Sequence, residues 1–456
     1  MCIYITKSQA QKKFDEEAEI AKIEAMYKDV LIHSKAHDWL HYLCKDIGGR
    51  LGGSPEYSAA VQYTSHMLDS IGVDSVWTQE VMVPYWRRGD VEKATVVQSS
   101  VGEVPLSIAA LGFSGGTSEL GLVGEVVEVR SFEELDSLGE EGLSGKIVFF
   151  NREMDRTRLN TFYAYGAAVN QRTRGPREAA KYGAVGAIIR SMTVKYDDVP
   201  HSGVTSFKEQ DPIPAVGIGL QSADKLHEII QKDGAAKVHL QLSCQHMGMR
   251  PSYNVIGEIK GTEKPDEIIV VGGHLDSWDI GEGAHDDGAG CVQSMDVLHT
   301  LIRNNYKPRR TIRCVLFANE ENGLNGANLY AELAKKNKEN HYAAIESDAG
   351  GHVPVGFRMD AEEGIAASSF EKVKTWRSVL ARFGLWDIQG GGSAADISRL
   401  KDQGTVLFGY RPDSQRYFDY HHSKNDVWEN VHRRELVLGS ASMAALVYLI
   451  DTFDVK

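Results

Sequence analysis

The chain is predicted to fold as an α/β protein, with a mostly parallel mixed sheet covered by helices on both faces and interrupted by an inserted β-rich module. Three observations point there. From Ser252 onward short apolar runs alternate with helical patterns, which argues for parallel strands joined by helical crossovers. The middle of the chain has a different texture, with short strands and few helical patterns. The 456 residues are 42% apolar and 25% charged, the balance of a globular protein able to bury a large core.

In chain order, residues 8–47 read as helical, with Trp39, Leu40, Leu43 and Cys44 at helical spacing. The run from Gly48 to Pro55 breaks that helix, and Pro55 suits the start of the next. Ala59, Ala60, Tyr63, Met67 and Leu68 carry the second helix to Gly72, and a strand follows over Val76 to Val83. Residues 1–104 thus form the first part of the α/β domain. Residues 105–236 form the inserted module, with strands at Gly145 to Phe150, Ala184 to Ile189 and Pro214 to Ile218, and a helix at Pro176 to Tyr182. Residues 237–456 complete the domain. There, strands are expected at Glu267 to Gly272, Thr311 to Ala318, Tyr342 to Ile345 and Val406 to Phe408, with helices at Ala289 to Asn304 and Asn325 to Lys336. Leu436 to Ile450 is the most apolar stretch. Gly439, Ser440 and Ser442 interrupt it, so it reads as a buried terminal helix and not a membrane span.

Charge and cysteine usage narrow the function. With 50 Lys and Arg against 63 Asp and Glu the net charge is −13, and no basic run offers a face for nucleic acid. Five cysteines without C-x-x-C spacing read as core residues or free thiols, not a disulfide frame. The apolar patch of Met1 to Lys7 is too short for a signal peptide, although Cys2 leaves a lipoprotein start as an alternative.

In an open parallel sheet ligands bind beyond the carboxyl ends of the strands. Here those ends carry His274-Leu275-Asp276, then Glu320-Glu321, then Asp348, with His285-Asp286-Asp287 in the loop after the first and His421-His422 after the last. Turn formation accounts for a lone Asp but not for repeated His or paired Glu. Adjacent carboxylates repel unless a cation or proton lies between them. An all-N/O donor set suits zinc or a similar divalent ion at a catalytic site.

These stretches, with Asp426 four positions after His422, resemble the dinuclear zinc exopeptidases, and Gly49-Arg50-Leu51-Gly52-Gly53-Ser54 also fits that family. The inserted module resembles a protease-associated domain. Layout and the stretch Phe418 to Ser423 look most like the carboxypeptidase Q branch. The resemblance implies two zinc ions per chain: Asp286 bridging, His274 and Asp348 on one, Glu321 and His422 on the other. It implies Glu320 as general base, Asp276 orienting His274 through its second ring nitrogen, and Asp287 in a cis peptide with Asp286. His421 stands where other members place a Tyr and is expected to help hold the oxyanion. His421 and His422 could exchange roles.

The activity implied is hydrolysis of dipeptides or short peptides by a metal-bridged hydroxide. The alternatives are an aminopeptidase with the same site and, less favoured, a glutaminyl cyclase. The glycine-rich turn holding Gly391, Gly392 and Ser393 is expected to contribute substrate-binding backbone. Arg411 and Arg416 read mainly as solvated, with a substrate carboxylate as the alternative partner. His285 reads as a surface or gate residue. The resemblance also makes a homodimer plausible, and secretion or periplasmic export if the N-terminus is processed.

Overall fold

The computed structural model describes residues 14–456. Cys2 and the first residues of the expected N-terminal helix lie outside them. The Asp15 carboxylate caps the helix Glu16–His33 by accepting from the Ala18 amide. The long helix expected here is broken at Ser34. Its hydroxyl donates to Asp296 at 2.6 Å and accepts from the Ala36 amide, turning the chain into a second helix, Ala36–Tyr42. Ser54 caps the helix Pro55–Ile71 through the Tyr57 amide, and Gly72, at φ +84°, ends it.

The main sheet has eight strands in the order Ser75–Arg87, Gln245–Ile259, Arg310–Phe317, Lys264–His274, Asn340–Glu346, Val406–Pro412, Pro354–Asp360 and Asp387–Gly390. The four strands from Arg310–Phe317 to Val406–Pro412 are mutually parallel, and antiparallel pairs flank them. In this register His274 pairs with Phe317 and Gly272 with Glu346. Three strands therefore finish at one level and send their following residues over the same edge.

Helix Ala289–Arg303 lies buried along nearly its whole length, packed against Arg433–Phe453. Among the described residues Arg433–Phe453 alone is long and apolar enough to cross a membrane, and it is packed inside the protein, as its interrupted pattern implied.

A second eight-stranded sheet runs from Glu92–Gln98 to Lys237–Leu242, one strand wider at each end than residues 105–236. Four of its strands, Leu122–Val129, Ile147–Phe150, Gly186–Arg190 and Ala215–Ile218, are parallel. Helices Phe132–Leu143, Thr161–Ala168, Gly175–Lys181 and Leu220–Asp233 accompany them. The segment is thus α/β, and "β-rich" understates its helices. Cys44, Cys244, Cys291 and Cys314 are buried and free.

Candidate active site

The cluster forms where the parallel strands end. His274 is the last residue of its strand, Glu320 and Glu321 occupy the turn after Arg310–Phe317, and Asp348 lies two residues past Asn340–Glu346. Asp286 stands in the loop before Ala289–Arg303, joined to Asp287 by a cis peptide. Asp426 positions that loop, its carboxylate accepting the amides of His285 at 2.7 Å and Asp286 at 3.2 Å.

The two oxygens of Asp286 face different partners. Its Oδ1 lies 3.2 Å from His274 Nε2, which is 3.6 Å from Asp348 Oδ1. Its Oδ2 lies 3.2 Å from His422 Nε2, which is 3.1 Å from Glu321 Oε2. His421 is farther, with Nε2 3.7 Å from Asp286 Oδ2, and its ring stacks on that of His422. Asp287 faces away, accepting the His274 and Gly290 amides at 3.0 Å each, and so ties the strand end to the helix start.

This is a crowded acidic site. Burial and neighbouring carboxylates push Glu321 up to about 7 and hold Glu320 and Asp348 above the usual carboxylate range. Burial would lower His274, but the carboxylates of Asp276, Asp286 and Asp348 hold it well above an ordinary imidazole. Burial and the neighbouring His422 keep His421 neutral. Glu321 Oε1 is buried without a hydrogen-bond partner. Buried carboxylates that cannot all ionise, one with an orphaned oxygen, fit a site built for cations. The donors His274, Asp286 and Asp348 lie close enough to share one ion, as do Asp286, His421 and His422.

Comparison with known proteins places the chain. Residues 254–447 match the model of peptidase family M28. Carboxypeptidase Q from Xenopus laevis is 32% identical over 444 residues, 94% of this chain and 91% of that protein. The chain belongs to peptidase family M28. Carboxypeptidase Q from Bos taurus is 30% identical over 98% of this chain and 93% of its own length. The M28 peptidase precursor from Shewanella amazonensis superposes with a TM-score of 0.89 at 32% identity, covering 96% of this chain and 97% of that one. A zinc aminopeptidase from Bacillus subtilis, at 20% identity and a TM-score of 0.64, shares the fold. M28 peptidases are dinuclear zinc exopeptidases, and this chain is a metallo-exopeptidase of that family.

One expectation needs correction, and the other residues singled out from sequence fall as follows. His285 is fully buried, not a surface or gate residue, because its ring packs against those of both His352 and Tyr420, which also contact each other. The Asp276 carboxylate stands 3.7 Å from His274 Nδ1, beyond hydrogen-bond distance, and so acts on that ring through its charge. Its oxygens accept the amides of Glu320 and Glu321 at 3.0 and 3.3 Å, and His274 Nδ1 donates instead to the Asp276 main-chain carbonyl at 2.9 Å. Gly391 and Gly392, at φ +87° and +91°, are exposed in a turn beyond the strand Asp387–Gly390. Ser393 does line a cleft of about 260 Å³ that reaches Asp348 and also holds Arg358 and Arg411. Arg411 pairs with Asp387 at 2.7 Å, and Arg416 pairs with Glu435 at 3.0 Å.

A second cavity, about 290 Å³, is lined by Asp286, Glu320, Glu321, Asp348, His421 and His422 together with Phe162, Tyr165, Arg172 and Val204 from the second unit. Sequence reasoning missed those four, since that stretch of the chain carries no cluster of ligand-type residues at metal-binding spacing. Arg50, in the glycine-rich N-terminal motif, is buried and donates to the carbonyls of Leu275, Glu282 and Gly283 at 2.7 to 3.0 Å. It thereby fixes both loops that carry the cluster.

Proposed function

We propose that this chain hydrolyses the peptide bond at one end of dipeptides or short peptides, with Glu320 as general base and two zinc ions per chain. One set would be His274 and Asp348, the other Glu321 and His422, with Asp286 serving both. The observation that carries this reading is the division of the two Asp286 oxygens between separate histidine–carboxylate pairs. When bound, zinc supplies Lewis-acid polarisation of the substrate carbonyl and lowers the pKa of water.

The protein's own groups do the rest. Glu320 lines the same cavity as the cluster, and burial raises it above the usual carboxylate range, which makes it a stronger base than an exposed carboxylate for taking a proton from water. It then returns that proton to the leaving amine nitrogen. His421, neutral and inside the cavity, keeps one N–H to donate to the carbonyl oxygen as negative charge develops there. Phe162, Tyr165 and Phe418 wall the cavity and exclude water from it. We also read the second unit as a protease-associated domain, supported by its parallel strands interleaved with helices and by the cavity residues it contributes.

Zinc analysis of purified variants tests the assignment. Glu320→Gln should retain the wild-type zinc content and lose at least about 100-fold in kcat on a dipeptide, the size of a lost general base. Asp286→Ala should weaken both zinc ions together. Near-normal turnover in the first, or loss of a single zinc in the second, would overturn these roles.

A further inference from the structure

Six arginines are buried among the described residues, and five of them are fully provided for. Arg50 has its three carbonyls. Arg88 pairs with Asp279 and Glu92, Arg190 with Asp224, Arg310 with Glu267 and Asp454, and Arg313 with Glu258 and Glu339. Arg172 differs. It is only 4% exposed, and no carboxylate among the described residues lies within ion-pair distance of it. Its Nε is buried without a partner. Its Nη1 donates to the Ser202 carbonyl at 3.2 Å and lies 3.2 Å from His422 Nδ1, and its guanidinium sits 5.7 Å from the Tyr165 ring centroid. A buried charge without a counter-charge is costly, and such a charge lining a cavity points to a ligand that supplies one.

The contact with His422 strengthens this reading. A neutral imidazole has one nitrogen with a free lone pair. His422 Nε2 faces Asp286 and Glu321, so when that lone pair is given to a metal, Nδ1 carries the hydrogen and cannot accept from Arg172. The guanidinium then keeps only the Ser202 carbonyl as an acceptor, and it lines the cavity it shares with Glu320. It stands one imidazole ring away from the cluster. Consecutive Cα atoms are about 3.8 Å apart, so that gap admits the single residue on the leaving side of the scissile bond. A free amine placed there would oppose a like charge, and a free α-carboxylate would complete a bidentate pair.

We propose that Arg172 receives the free α-carboxylate of the departing C-terminal residue, which makes the substrates dipeptides and short peptides with an unblocked C-terminus. This rests on the exopeptidase reading above and adds the end of the peptide that is recognised. Phe162, Tyr165, Val204 and Phe418 give the departing side chain an apolar wall.

The zinc-loaded full chain tests it with Ala-Phe and its C-terminal amide. The wild type should prefer the free acid by about 100-fold or more in kcat/KM. Arg172→Met should lose most of that factor on the acid, chiefly through KM, and leave the amide within about threefold. Equilibrium dialysis of free phenylalanine, the product, should show binding to the wild type and its loss in Arg172→Met. Arg172→Lys, which keeps the charge and most of the packing, should retain part of the preference and carries the test if the Met variant does not fold. Equal losses on both substrates would make Arg172 merely a support for His422 and overturn the proposal, as would a wild type indifferent to amidation. Failure of the zinc-loaded wild type to cleave either peptide would refute the exopeptidase reading instead, and the dialysis would still decide whether Arg172 binds a carboxylate.

Discussion

Asp276→Asn exchanges one carboxylate oxygen for an amide NH2 at a buried position where both oxygens are in use. They accept the Glu320 and Glu321 amides at 3.0 and 3.3 Å, so the variant keeps one acceptor and turns a donor toward the other N–H. Leaving a buried amide unsatisfied costs about 1–3 kcal/mol. That cost falls on the turn that aims Glu320. We expect folding stability to drop by about 2 kcal/mol in urea denaturation, and kcat on a dipeptide to fall about 10- to 100-fold. Zinc affinity should stay within about threefold, because His274 Nδ1 is held by the main-chain carbonyl of residue 276, which Asn retains. Competition with a chelator measures that affinity. A carboxylate that oriented the ligand directly would cost about 10–100-fold in metal affinity on removal. If zinc affinity falls that far while stability is unchanged, the division of labour assigned to Asp276 is wrong.

Further outcomes follow from features outside the His and carboxylate cluster. Arg50→Ala removes the donors to two buried carbonyls and one partly buried one and should destabilise the protein by about 3–5 kcal/mol; a shift under 1 kcal/mol in denaturation would show that the loops hold themselves. A Cβ on Gly112 would stand 1.9 Å from Trp278 Cη2, so Gly112→Ala should cost at least about 1–3 kcal/mol. It should lower activity too, since Trp278 lies edge-on to His422; an unchanged midpoint and rate would refute this. Burial and Arg313 lower His341 to about 3, so its stabilising neutral form is present above pH 6.5 and lost as the pH falls toward 3. Between pH 7 and pH 5 the wild type should lose about 2 kcal/mol more stability than His341→Asn, and parallel pH profiles would exclude this role.

The clustering of these residues was legible because parallel strands share a direction. Once four strands are read as parallel, His274, Glu320, Glu321 and Asp348 fall on one edge without further information, and the register bears this out. Arg172 was not legible. It lies 250 positions from His422, and its role rests on what it lacks, a counter-charge, which only packing reveals. His285 was misread because a polar residue beside ligands suggests exposure, whereas its partners His352 and Tyr420 are distant in sequence. Asp276 shows a subtler limit: spacing places a residue beside a histidine without saying whether side chain or main chain makes the bond.

The join between the two sheets has a further consequence. Ser202 N donates to the His422 carbonyl at 2.7 Å, and His201 forms an isolated bridge with Ser423. The cavity therefore exists only where segments made early in synthesis grip a loop made near its end. That cavity cannot close before His421 and His422 have left the ribosome and docked. Loosening that seam would part Arg172 and Val204 from the main-sheet residues that line the same cavity. The cavity is in this sense a property of the closed junction, built from both halves of the chain at once.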